Sequence, residues 1–91
     1  MDKKHYNIKI YGKVQGVWYR ASTEQKAKEL GLLGFVQNEI DNSVYVEIEG
    51  PQADIDQFLT WCKEGPPLAK VSKIELKEAP LSNFTNFKIR R

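Results

Sequence analysis

The chain has 91 residues, a formal net charge of +2, one cysteine and one histidine. That length is read as a single domain over residues 1–91 with a modest core, the lone Cys62 excludes an intrachain disulfide, and one Cys with one His excludes a four-ligand Cys/His metal site. The slight charge falls well short of a nucleic-acid footprint, no apolar run approaches the ~20 residues of a membrane span, and the start Met1-Asp2-Lys3-Lys4-His5 has no signal-peptide character, so a cytoplasmic location is expected.

Tyr6, Ile8, Ile10 and Val14 share one parity and alternate with Asn7, Lys9, Tyr11 and Lys13, which predicts a half-buried first strand. Residues 21–30 contain no Gly or Pro and mostly good helix formers. Tyr19, Thr23, Ala27 and Leu30 form a thin apolar stripe, Glu24 and Lys28 an i,i+4 pair, and Gly31 a stop. Leu32 to Glu39 reads as a second strand in which Gly34 permits close backbone approach. Residues 39–43 read as a hairpin turn. Val44, Val46 and Ile48 give a third strand that ends at Gly50-Pro51, and Pro51 suits the first turn of a helix. Ile55, Phe58, Leu59 and Cys62 recur at helical spacing, and Gly65-Pro66-Pro67 breaks that helix. A fourth strand spans Ala69 to Glu78, with a phase slip between Val71 and Ile74 that predicts a bulge or bend. A loop from Pro80 to Phe84 leads to a short last strand carrying Thr85, Phe87 and Ile89. The order predicts an α+β ferredoxin-like sandwich: βαββαβ with an extra short C-terminal strand, an antiparallel sheet and two helices on one face.

The first strand reaches the first helix through Gly12-Lys13-Val14-Gln15-Gly16-Val17-Trp18-Tyr19-Arg20. Gly16 lets the backbone approach a ligand, the helix start offers free N–H groups, and Arg20 adds a cation with a planar fork of donors. Together they can cradle a phosphate-sized anion, although many strand-to-helix turns carry a Gly and an Arg and bind nothing. The first helix returns the chain so that strands one and two run in the same direction. Arg20 and Asn38 then fall on one edge of the sheet, and Asn38 shares the helix-facing parity of Val36. Taken alone, Asn38 fits a turn-flanking Asn that caps a hairpin better than a catalytic residue.

Gly12-x-Val14-Gln15-Gly16-Val17-x-Tyr19-Arg20 resembles the first motif of the acylphosphatases. Gly34-Phe35-Val36-Gln37-Asn38, followed by Val44 and Gly50, resembles their second, and the resemblance runs from about Tyr6 to Arg90. It implies hydrolysis of acyl phosphates to a carboxylate and inorganic phosphate without metal or cofactor, by a monomer with no nucleic-acid or membrane partner. By the same resemblance, Gln15, Gly16, Val17, Trp18, Tyr19 and Arg20 bind phosphate, Asn38 positions the attacking water, and a phosphate oxygen of the substrate takes the water proton. Asn42 stands where the family usually has Gly; Asn tolerates positive φ, so the turn is expected to survive. Trp18 occupies a variable position and is expected to shape a wall of the acyl site. The rival reading is a silent anion- or carbamoyl-phosphate-binding module, since such domains also occur inside larger carbamoyl-transfer proteins; a chain that ends at Arg91 favours the free enzyme.

Other residues are set aside. His5 is expected in a solvated, charged tail, Cys62 as a core filler, Trp61 as packing, and Asp54 and Asp56 as surface carboxylates at a helix start. Tyr11, Phe35 and Tyr45 lie on the parity opposite the core. An aromatic sheet face suits single-stranded RNA, but Glu47 and Glu49 share it.

Overall fold

A computed structural model describes residues 2–90; Met1 and Arg91 lie outside the described residues. The elements run β1 (Lys3–Lys13), α1 (Tyr19–Glu29), β2 (Leu33–Asn38), β3 (Val44–Pro51), α2 (Gln52–Glu64), β4 (Lys70–Ala79) and β5 (Phe87–Arg90). The sheet order is β4-β1-β3-β2-β5. Both helices cover one face, and Ile8, Ile10, Val36, Val46 and Ile48 are completely buried beneath them. Each such aliphatic side chain contributes about 1.5–3 kcal/mol of burial free energy.

The helices follow their stripes. Tyr19, Thr23 and Ala27 are the buried residues of α1, and Ile55, Phe58 and Cys62 those of α2. The Thr23 hydroxyl donates to the Tyr19 carbonyl at 2.7 Å, so its burial leaves no donor unpaired. The Tyr19 hydroxyl donates to the Cys62 carbonyl at 2.7 Å and ties the start of α1 to the end of α2. Burial pushes the Cys62 thiol up to about 12, as suits a core filler rather than a nucleophile. At the end of α1, Gly31 has φ 71°. Its N–H reaches the Lys28 carbonyl and the Leu32 N–H the Ala27 carbonyl, the paired bonds of a glycine-terminated helix. Pro51 differs slightly from expectation: it closes β3 and stands in extended conformation just before α2, not inside its first turn.

Two close approaches shape the sheet. Gly34 has φ 142°, and a Cβ there would lie 1.8 Å from the Glu47 carbonyl oxygen, so only glycine permits this β2–β3 contact. Between β1 and β4 the register jumps from Tyr11↔Lys73 to Gly12↔Val71. Ser72 is therefore the extra residue, at the place where the sequence phase slips.

The four long strands pair antiparallel, whereas β5 joins β2 in parallel. Because β4 and β5 form opposite edges of the sheet, the chain must leave one edge and cross to the other before β5 begins. The crossing segment, residues 80–86, runs over the face opposite the helices. There the Glu49 carboxylate accepts the backbone N–H groups of Ser82, Asn83 (3.1 Å) and Phe84 (2.9 Å). The crossing corrects two expectations. His5 is no solvated tail residue: it is 2% exposed, lies edge-on to Phe84, and places Nε2 2.9 Å from Glu47 and Nδ1 3.1 Å from Glu49. Phe35 is not on an open face either; Phe84 packs edge-on against it and the Arg90 guanidinium lies 3.7 Å from its ring centroid.

Burial pushes the Glu49 carboxyl up, but the three N–H groups and His5 pull it down further, so it lies below the usual carboxylate range. A depressed carboxylate stabilises the fold above its unfolded pKa of about 4.3 and loses that contribution as pH falls through its folded value. Glu49→Gln is expected to cost about 2 kcal/mol, or roughly 10 °C in Tm for a domain of this size. Thermal melts of the two proteins should differ fully at pH 6–7, and the gap should close in acid below about pH 4.

Candidate active site

The connection between β1 and α1 alternates in burial. Val17 and Tyr19 are sunk into the core at 4% and 1% exposure, while Gly16 and Trp18 face outward. This two-residue rhythm pins the loop through its apolar side chains and leaves its backbone at the surface. Gly16 (φ 73°) and Trp18 (φ 69°) are both left-handed, with Val17 between them on the ordinary side. Alternation of handedness turns successive amides toward one side, the arrangement of an anion-binding nest. For Trp18, a bulky L residue, the conformation costs about 1–2 kcal/mol.

The start of α1 is bare. Trp18 occupies the N-cap position without a side-chain cap, and the first turn holds no acidic residue. The first amide of the helix bonded inside the protein is Ser22 N–H, to the Trp18 carbonyl. Among the described residues, the N–H groups from Gln15 to Ala21 donate to no protein acceptor. Exposed amides and the helix dipole favour an anion here. Arg20 follows on the first turn, and among the described residues no carboxylate lies within 4 Å of its guanidinium.

β1 and β2 both run antiparallel to β3 and hence parallel to each other. Their C-terminal ends therefore share one sheet edge, and Asn38 closes β2 beside the loop. Arg20 and Asn38 line the same cleft of about 330 Å³, with Val14, Gly16, Trp18, Tyr19, Ala21 and Ile89. None of these lining residues is a carboxylate, an imidazole or a thiol. The one ionisable side chain besides Arg20, the Tyr19 phenol, is turned away to the Cys62 carbonyl and is raised above its usual range by burial.

Gln15 does something the sequence did not disclose. Its Nε2 donates to both the Glu39 and the Ser43 carbonyls at 2.9 Å, clamping the loop to the turn that follows Asn38. Its side chain is thus committed to the protein, and its backbone N–H, without a protein acceptor among the described residues, is the donor it has left. The turn is fixed from its other end as well. Asn42 takes φ 73°, the left-handed conformation in which Asn can replace Gly. Glu39 N–H reaches the Ser43 carbonyl at 2.9 Å. Asp41 accepts from the Ser43 hydroxyl, the Lys9 ammonium and the Ser43 N–H, in that order of weight, and these hold its carboxyl at about 2. Val14, Ala21 and Ile89 are lining residues that sequence reasoning missed. Ile89 arrives because β5 sets it beside Val36, two residues before Asn38.

A model of the acylphosphatase family matches residues 6–89. An acylphosphatase of Methylococcus capsulatus is 45% identical over 89 residues, 97% of each chain. Among solved structures, an acylphosphatase from Coxiella burnetii superposes with TM-score 0.94 at 34% identity, covering 98% of this chain and 94% of that one. HypF from T. kodakarensis contains a similar unit, with TM-score 0.86 and 33% identity over 97% of this chain but 12% of its own length. The chain belongs to the acylphosphatase family, whose reaction is hydrolysis of the carboxyl–phosphate bond of acyl phosphates.

Proposed function

We propose that the cleft at the β1–α1 loop is the acylphosphatase site, with Arg20 and the amides of residues 15–20 holding the phosphoryl group and Asn38 aiming the attacking water. The observation that carries this reading is the meeting, in one cleft, of a guanidinium without a carboxylate partner among the described residues, a bare helix start and the exposed Asn38 amide. An acyl phosphate expels a carboxylate whose conjugate acid has a pKa of about 4, so departure needs no general acid. The transition state spreads charge over the phosphoryl oxygens, and fixed donors already aimed at those oxygens carry most of the rate. The Asn38 carbonyl accepts a hydrogen bond from one O–H of the water and so directs an oxygen lone pair toward phosphorus. With no carboxylate, imidazole or thiol among the lining residues, the one proton the attacking water loses passes to a phosphoryl oxygen of the substrate, while its other hydrogen stays on the oxygen now bonded to phosphorus.

We also assign residues 1–91 to one domain acting as a monomer in the cytoplasm on a small-molecule acyl phosphate. Among the described residues no helix is long and apolar enough to cross a membrane. A silent anion- or carbamoyl-phosphate-binding module is the second reading, favoured by the similar unit inside the longer HypF. Phosphate release from benzoyl phosphate in the presence of a chelator separates the two. Turnover supports the enzyme reading, and phosphate binding without turnover supports the module.

The clamp carries its own prediction. Gln15→Ala removes two bridging hydrogen bonds but leaves the Ser43 carbonyl its bond from Glu39 N–H and the Glu39 carbonyl its bond from Asn42 N–H, so the cost in stability is about 1–2 kcal/mol. The turn after Asn38 then drifts relative to the phosphate loop, and displacements well under 1 Å at such a site cost about tenfold in rate. Steady-state kinetics should give a kcat lowered about tenfold, with inhibition by inorganic phosphate little changed, because Arg20 and the helix start remain in place.

A further inference from the structure

Trp18 has no structural reason to be tryptophan. It is held in a strained left-handed conformation, yet the residue is 75% exposed and its side chain caps no backbone group. No ring of another aromatic residue stacks on it among the described residues. The nest accounts for the left-handed backbone, but neither packing nor hydrogen bonding accounts for a bulky ring at a position that Gly or Asn would occupy with less strain, and strain of this kind gathers where a ligand is handled. The indole stands at the mouth of the cleft that Arg20 and Asn38 line. On the 39–43 turn, Ile40 is fully exposed and shares an adjoining hollow with Asn38. These are the two most exposed large apolar side chains among the described residues, and both flank one site.

We propose that Trp18 is a specificity-determining residue: its indole forms an apolar platform for the acyl group, selecting acyl phosphates with an aromatic or extended apolar acyl chain over acetyl phosphate. The proposal rests on the phosphoryl group being held by the 15–20 loop, which leaves the acyl portion to pass the rim. A flat ring at that rim removes apolar acyl surface from water and gains nothing from a lone methyl group.

Two variants test it. Trp18→Asn keeps a residue that adopts the left-handed region without difficulty but removes the ring. Trp18→Phe keeps a ring of smaller area. The quantity to read is the ratio of kcat/KM for benzoyl phosphate to that for acetyl phosphate. The ratio is expected to fall about tenfold in Trp18→Asn and to stay within about threefold of the parent in Trp18→Phe. Trp18→Asn is also expected to melt no lower than the parent, since it relieves strain and uncovers nothing. An unchanged ratio in Trp18→Asn overturns the proposal, as does a large drop in its melting temperature, which would make Trp18 structural. Inorganic phosphate on the parent enzyme keeps the two readings apart: competitive inhibition with an unchanged variant ratio defeats the role of Trp18 alone, and absence of inhibition defeats the loop as phosphate site.

Discussion

Arg20→Gln is expected to lower kcat/KM for an acyl phosphate by about 10³-fold, the usual scale for removing a charged donor from a phosphoryl transition state. Inhibition by inorganic phosphate should weaken with it, because the same guanidinium holds product and transition state. The expectation follows from position. Arg20 sits on the first turn of a helix whose start has no side-chain cap and no acidic residue, and among the described residues no carboxylate competes for its donors. Gln keeps part of the stem and a neutral donor but loses the charge and the two-pronged geometry. Arg20 is only partly buried and makes no ion pair among the described residues. The variant should therefore melt within about 0.5 kcal/mol of the parent. A variant with full activity and unaltered phosphate inhibition would remove Arg20 from the site.

Asn38→Ala separates binding from chemistry. Asn38 is exposed, at the last position of β2, and its side chain makes no hydrogen bond within the protein among the described residues. Deleting it leaves the phosphate loop and its clamp intact. A residue that only aims water contributes in the transition state and little to ground-state binding, so kcat and kcat/KM should fall together. About 10²-fold is expected for loss of a single positioning contact, with the phosphate inhibition constant within about twofold of the parent. Loss of phosphate binding equal to that in Arg20→Gln would instead make Asn38 a phosphate ligand.

The elements and the meeting of Arg20 with Asn38 were legible because they depend on local pattern and connection rules. Alternation at Ile8 and Ile10, helical spacing at Ile55, Phe58 and Cys62, and the stop at Gly31 are short-range signals. Two strands joined through a helix must run the same way, and that alone set both residues on one edge. What escaped reading was long-range. The alternation of Phe87 and Ile89 identifies a buried face but not which strand lies beside it, so the parallel pairing with β2 and the arrival of Ile89 at the cleft were hidden. The burial of His5 depends on a segment almost eighty residues away crossing its face. The acceptors of Gln15 are carbonyls, which every residue carries and no sequence pattern marks. One signal was available and went unused: Val17 and Tyr19 alternate with Gly16, Trp18 and Arg20, which indicates a loop anchored by apolar side chains and presenting its backbone.

The proposed site requires that amides 15–20 and the Arg20 guanidinium hold the phosphoryl group. Titrating the ¹⁵N-labelled protein with inorganic phosphate tests it directly. Saturable shifts are expected, concentrated at the N–H resonances of residues 15–20 and at Arg20 Nε, and absent from Arg20→Gln. Saturable shifts centred elsewhere, in a protein that still hydrolyses acyl phosphates, would contradict it.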